Sequence, residues 1–119
     1  RFWPGPLTLI VDAAPALDER LLGDDRTVAV RVPASAVARA LARRFAYPIT
    51  ATSANRSGDA APTLAPEVVD AFGSAVDVVL DAGPTPGGRP STIIDARGDA
   101  PRLVREGVVP WDRVLQSLA

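Results

Sequence analysis

Short apolar runs alternate with amphipathic helical patterns along this chain, and Pro or Gly separates most of them. The runs PLTLIV (6–11) and TVAVRV (27–32) are typical of strands. Residues 34–46 instead place Val37, Leu41 and Phe45 on one helical face. Strands and amphipathic helices each bury an apolar side against a partner. Their alternation therefore predicts an α/β fold, with a twisted mixed parallel and antiparallel sheet flanked by helices.

The rest of the chain continues the same alternation. In order, the patterns predict a strand at 48–53, a helix at 66–72, strands at 77–81, 91–95 and 102–105, and a closing helix at 110–118. The segment AGPTPGGRP, between the strands at 77–81 and 91–95, is a loop by composition.

Three residue types are missing, and their absence limits the chemistry. The sequence has no His, no Cys and no Lys, so all 13 basic residues are Arg. This excludes imidazole catalysis, thiolate metal sites and a catalytic lysine from these residues, while Arg suits bidentate binding of phosphate or carboxylate. A net charge of −1 gives no general case for a nucleic-acid partner. No apolar stretch approaches the ~20 residues of a membrane span, and the lack of Cys favours a cytoplasmic location.

A polar cluster, TSANRSG (52–58), begins at the end of the strand predicted at 48–53. Ser53 and Asn55 carry neutral groups that can hydrogen-bond phosphate oxygens, and Gly58 permits a tight reversal. The cluster is therefore either an anion site at a strand end or an ordinary Asx-type turn, and residue types alone leave both interpretations open.

Six segments in register carry a resemblance to a known family: FWPGPLTLIV, TVAVRVP, PITATSANRSG, FGSAVDVVLDAG, GGRPSTIIDA and RLVREGVV. Together they resemble the later part of the YrdC family domain over essentially all 119 residues. Ser53-Ala54-Asn55 matches the family's Ser-x-Asn motif, whereas its Lys-x-Arg motif has no counterpart in a sequence without lysine. The resemblance implies a YrdC-like partial domain, with residues 1–119 as the later portion and the N-terminal portion absent.

The resemblance also implies a reaction. L-Threonine, bicarbonate and ATP would give threonylcarbamoyl-AMP and pyrophosphate, the first step towards threonylcarbamoyladenosine at position 37 of tRNA. ATP is then a substrate, and Mg²⁺ is expected to be held mainly by the substrate phosphates. The tRNA or downstream tRNA-modification proteins are candidate partners.

The matched positions divide into two groups by the substrate they would contact. The ATP-binding group is Thr27, Ser53, Asn55, Ala61 and Arg105, and the threonine- or carbamate-binding group is Arg31, Ala51 and Ser91. No catalytic acid or base and no metal ligand is implied. We expect Ser53, Asn55 and Arg105 to converge on one phosphate-bearing ligand.

Two alternatives use the same domain: a HypF-type carbamoyl-adenylate or carbamoyltransferase module, and a non-catalytic RNA-binding protein with an arginine patch at Arg39, Arg43 and Arg44. We further expect the 119 residues to be inactive alone and to self-associate through an exposed sheet edge. The first strand, apolar on nearly both faces, suits an interior position in the sheet.

Overall fold

The computed structural model describes residues 1–118, which divide into two compact units. The sheet unit combines residues 1–40 with the stretch that begins at residue 89, and the helix–loop unit consists of residues 41–88. Among the described residues, no helix is both long enough and apolar enough to cross a bilayer.

A four-stranded sheet organises the sheet unit. Its strands are β1 (Leu7–Asp12), β2 (Thr27–Val30), β3 (Thr92–Asp95) and β4 (Arg102–Arg105), in the order β2-β1-β3-β4. Strand β1 pairs antiparallel with β2 and parallel with β3, while β3 and β4 pair antiparallel with a register shift between Ile93 and Ile94. The mixed α/β sheet is confirmed, and β1 occupies the interior position that its apolar sequence predicted.

One face of this sheet carries the core. Leu7, Ile94, Val109 and Val114 are buried against one another, with Phe2, Leu9 and Trp111 partly buried around them. Leu7 and Leu9 share a face because side chains alternate along a strand. Val114 comes from helix α3 (Trp111–Gln116), which therefore closes the apolar side of the sheet.

A buried hydroxyl ties β3 to the segment that precedes α3. Thr92 is fully buried, and its Oγ1 donates to the Val109 carbonyl at 2.6 Å. The same oxygen accepts from the backbone N–H groups of Gly107 at 2.9 Å and Val109 at 3.1 Å. One side chain thus satisfies three backbone groups that would otherwise be buried without partners.

The end of β3 carries a buried carboxylate. Arg97 donates to both oxygens of Asp95, at 3.0 and 2.9 Å, and Arg102 donates to Oδ2 at 2.7 Å. The backbone N–H of Arg97 adds a bond at 3.1 Å. These donors, Arg97 first, hold the pKa of Asp95 well below its usual value of 3.8. Two arginines, one in the β3–β4 connection and one at the start of β4, therefore bind the same carboxylate.

Helices α1 (Ala36–Phe45) and α2 (Ala65–Phe72) confirm the two helices predicted in this part of the chain. Helix α2 begins where its sequence predicts. Pro66 stands in its first turn, and the Glu67 carboxylate accepts from the N–H groups of Thr63 at 2.7 Å and Leu64 at 3.0 Å. These two bonds lower the pKa of Glu67, the bond from Thr63 contributing more.

Two predicted strands, at 48–53 and 77–81, are wrong. Both segments have irregular backbone, and neither pairs with a strand among residues 1–118. Their apolar side chains lie in solvent: Ile49 is 42% exposed and Val78 70% exposed. A strand needs a hydrogen-bonded neighbour as well as a suitable sequence, and the described residues supply none here. Ser53 and Asn55 therefore follow irregular backbone instead of the end of a strand.

Candidate functional site

Four polar residues lie at one end of the sheet. Leu9 pairs with Val30, the last residue of β2, so Arg31 leaves that strand at the end of the sheet where Thr8 lies in β1. Thr8 in turn pairs with Ile93, and Ile93 with Arg105. Residues directly opposite each other share a face, so Thr8, Ile93 and Arg105 lie on the same one. We call Thr8, Arg31, Ser91 and Arg105 the polar sheet end.

Three members of the polar sheet end are in direct contact. The hydroxyls of Thr8 and Ser91 are 2.9 Å apart. The Arg105 guanidinium donates to the Ser91 carbonyl, from Nη2 at 2.9 Å and from Nε at 3.3 Å, and Nη2 lies 3.4 Å from Ser91 Oγ. The structure thus brings together Ser91 and Arg105, two of the predicted site residues. It also adds Thr8, which was not among the predicted site residues. The sequence feature that could have indicated it is a polar residue inside the apolar run LTLIV.

The two arginines of this end retain unused donors. Within residues 1–118, the exposed Arg31 side chain makes no hydrogen bond or ion pair, and Arg105 uses only its Nε and Nη2 groups. A guanidinium carries five N–H donors in a planar fork that fits carboxylate or phosphate. The polar sheet end therefore has the charge and the donors to bind an anion.

Thr27 lies at the other end of β2. It pairs with Asp12, and its hydroxyl donates to the Asp24 carbonyl at 2.8 Å, closing the turn that leads into the strand. Thr27 and Arg31 are therefore at opposite ends of β2. Its observed role is local, and contact with a nucleotide stays a prediction.

In the helix–loop unit, Asn55 and Ala61 line the same cleft. The cleft has a volume of about 230 Å³, and Arg56, Thr63 and Glu67 are among its other walls. Asn55 Nδ2 donates to the carbonyls of Arg56 at 3.0 Å and Asp59 at 2.9 Å. These bonds close a local turn through the amide N–H groups, whereas an Asx-type turn would use the side-chain oxygen.

Other contacts of this loop leave one polar atom without a partner. The Arg56 guanidinium donates to the Ala71 carbonyl, from Nη2 at 3.0 Å and from Nε at 3.3 Å, and so ties the loop to helix α2. Asn55 Oδ1 is buried and has no hydrogen-bond partner among the described residues. Arg56 is therefore engaged in the loop, while Asn55 keeps one free acceptor.

Ser53 and Ala51 do not line this cleft. Both are exposed on irregular backbone, and the Ser53 carbonyl accepts from the Asn55 N–H at 2.9 Å. The helix–loop unit thus brings Asn55 together with Ala61 and leaves Ser53 and Ala51 outside the cleft. Convergence of Ser53 and Asn55 with Arg105, which belongs to the sheet unit, stays a prediction.

Comparison with known proteins gives a consistent result. A family model for Sua5, YciO and YrdC, described as "Telomere recombination", matches residues 1–107. Threonylcarbamoyl-AMP synthases from Pyrococcus abyssi and Bacillus subtilis are each 40% identical to the chain over 96% of its length. The crystal structure of P. abyssi Sua5 complexed with L-threonine superposes with a TM-score of 0.88 and 38% identity, over 97% of this chain and 34% of that one.

The match covers only part of each relative. The chain spans about a third of the two curated synthases, 34% of the one from P. abyssi and 33% of the one from B. subtilis. These comparisons do not favour a carbamoyltransferase module or a non-catalytic RNA-binding protein.

Proposed function

The chain belongs to the Sua5/YciO/YrdC family, and from that premise we propose that the intact protein is a threonylcarbamoyl-AMP synthase. These residues would form the later portion of its YrdC-like domain. The amine of L-threonine and bicarbonate combine, with loss of water, to a carbamate. A carbamate oxygen then attacks the α-phosphorus of ATP, and pyrophosphate leaves as the P–O bond to it breaks.

The polar sheet end is the observation that carries this proposal. The substrate carbamate and the ATP phosphates are both anionic, so the chief obstacle is bringing like charges together. Arg31 and Arg105 lie at the same end of the sheet, and both keep guanidinium donors that no described residue uses. Charge neutralisation and alignment of this kind need neither His nor Cys.

We assign the threonine and carbamate side to Arg31, Ser91 and Ala51. The Arg31 fork would bind the carboxylate in bidentate fashion, and the Ser91 hydroxyl would add one directional hydrogen bond. Ala51 has no polar side chain, so only its backbone could contribute.

The nucleotide side is proposed to comprise Arg105, Asn55, Ser53, Thr27 and Ala61. Arg105 would contact the phosphates through its free Nη1 donors while Nη2 stays bonded to Ser91. Asn55 already uses both N–H donors of its amide, so it could donate to a phosphate only if the bonds to Arg56 and Asp59 break. Its Oδ1 has no partner but is buried, so it could accept from a nucleotide N–H or hydroxyl group only after the loop moves to expose it.

ATP is a substrate in this proposal, and Mg²⁺ would accompany its phosphates. Residues 1–118 contain no group of three or more His, Cys, Asp or Glu side chains that could hold a metal ion. In this proposal Mg²⁺ would be coordinated mainly by phosphate oxygens and water. The product would pass to tRNA or to a downstream tRNA-modification protein.

The direct test compares the 119 residues with the intact protein. We expect threonine-dependent pyrophosphate release from ATP and bicarbonate only with the intact protein. The family's Lys-x-Arg motif is missing from a sequence that has no lysine. Threonine-dependent pyrophosphate release by the 119 residues alone would contradict the proposed incompleteness. Release by the intact protein with carbamoyl phosphate but not with threonine and bicarbonate would instead favour the carbamoyltransferase alternative.

A pair of Arg→Lys variants tests the polar sheet end. In the intact protein, Arg31→Lys keeps the charge but loses the bidentate fork, so the KM for L-threonine should rise about tenfold or more. Arg44→Lys, on an exposed position of α1, is the matched control and should leave the KM unchanged. Equal KM values for both variants would remove Arg31 from the threonine site.

A further inference from the structure

The contact between Thr8 and Ser91 joins two side chains that are 83 residues apart in sequence. Thr8 is held in β1, an interior strand paired on both sides. It is β-branched, so its χ1 angle is restricted. Ser91 precedes β3, is unbranched, and has a hydroxyl that rotates freely unless a neighbour holds it. Thr8 is therefore the rigid member of the pair, and Ser91 is the member whose orientation needs to be fixed.

The hydrogen-bond capacity of Ser91 gives this contact a direction. A hydroxyl has one proton and two lone pairs, and Arg105 can only donate. Arg105 Nη2 lies 3.4 Å from Ser91 Oγ and so occupies the region of one lone pair. If Thr8 donates into the other lone pair, the Ser91 proton is free to be donated to a ligand. If Ser91 donates to Thr8 instead, its proton is used and no donor remains for an anion.

We propose that Thr8 is a positioning residue for the anionic substrate oxygen bound by Ser91. Its hydroxyl donates to Ser91 Oγ, and Ser91 then donates to an oxygen of the threonine carboxylate or carbamate. This inference rests on the proposed function, since it names the substrate group that Ser91 binds. Thr8 contacts no substrate atom in this arrangement and acts only through the orientation of the Ser91 proton.

The test uses three variants of the intact protein. Thr8→Val removes the hydroxyl and preserves the β-branched shape, Thr8→Ser restores the hydroxyl, and Ser91→Ala removes the group that Thr8 orients. We expect Thr8→Val to raise both the KM and the calorimetric Kd for L-threonine about two- to tenfold, as for one lost neutral hydrogen bond. The kcat and the KM for ATP should not change, and Thr8→Ser should return the threonine KM close to wild type.

A double mutant separates positioning from a general structural effect. Adding Thr8→Val to Ser91→Ala should cause no further loss of threonine affinity, because the two residues act in series. Thr85→Val, which removes an exposed hydroxyl from the helix–loop unit, is the control and should leave both KM values unchanged.

Additive losses in the double mutant, or equal rises in the KM for threonine and for ATP, would overturn the role of Thr8. So would threonine binding by Thr8→Val that is as tight as that of the wild type. If the wild-type protein itself fails to bind L-threonine, the proposed function fails, and with it the substrate named here. The two failures are therefore distinguished by the wild-type titration.

Discussion

The sheet unit and the helix–loop unit have similarly apolar sequences but use them differently. In the sheet unit, Leu7 and Ile94 lie on paired strands and are buried. In the helix–loop unit, Ile49, Val78 and Leu80 belong to equally apolar runs, yet they are exposed on irregular backbone. The difference shows that an apolar run becomes a strand only where a neighbouring strand completes its hydrogen bonds. The sequence pattern identifies segments that could be strands, and only those that pair with a neighbouring strand form one.

The largest expected effect comes from matched leucine truncations in the two units. Leu7 is 7% exposed and Leu80 is 59% exposed. Leu7→Ala should lower the free energy of unfolding by about 3 kcal/mol, from lost burial and the cavity left behind. Leu80→Ala should change it by less than about 0.5 kcal/mol. Urea unfolding of both variants measures the contrast, and equal losses would mean that Leu80 is buried in solution.

A smaller effect is expected from matched threonine substitutions. Thr92→Val keeps the shape of the side chain but leaves two N–H groups and one carbonyl without their partner oxygen. We expect a loss of about 2 kcal/mol, the cost of unsatisfied buried groups. Thr85→Val, which removes one long and exposed bond of 3.4 Å, should cost less than about 0.5 kcal/mol. A neutral Thr92→Val variant would show that water reaches these groups.

Most of the sheet unit could be predicted because its signals are local. The strands at 6–11, 27–32, 91–95 and 102–105 are all present within a residue or two of the expected bounds. Alternating apolar residues and flanking Pro or Gly are enough to mark such segments. The mixed sheet was predicted from the alternation of strands with helices, whereas the pairing partners and their directions are visible only in the structure.

The candidate site was predictable only in part. Motif matching found Arg31, Ser91 and Arg105, which the register places at one end of the sheet. It did not find Thr8, because a hydroxyl inside a strand becomes significant only when another residue comes within hydrogen-bonding distance of it. It also could not reveal that the Asn55 amide is engaged by its own loop, since local side-chain–backbone bonds compete with ligand binding.

Acid titration distinguishes a buried ion pair in the sheet unit from an exposed one. The pKa of Asp95 is lowered by Arg97 and Arg102, and that of Asp18 by Arg20. A carboxyl whose folded pKa is depressed stabilises the fold above its ordinary pKa of 3.8, and this stabilisation is lost as the pH falls through the folded value.

Asp95→Asn should therefore destabilise the protein at neutral pH and flatten the loss of stability between about pH 4 and pH 2. Asp18→Asn should have a smaller effect of the same sign, because solvent screens the exposed pair. Urea midpoints measured across this range would test both. An unchanged acid profile in Asp95→Asn would show that the pair contributes nothing to stability.

The smallest expected effect is on self-association. Copies of the chain could associate through an edge of the sheet or through the apolar surface of the helix–loop unit. The described edge strands β2 and β4 have four residues each, and β4 has arginine at both ends. Short and charged edges resist pairing with another chain, so we expect association through the sheet edge to be weak. Light scattering across a concentration series should show a slow rise in apparent mass, which Val104→Lys on β4 should abolish. Leu80→Lys should leave it unchanged. Loss of association in Leu80→Lys alone would move the contact to the helix–loop unit, and a constant monomer mass for the wild type would contradict self-association altogether.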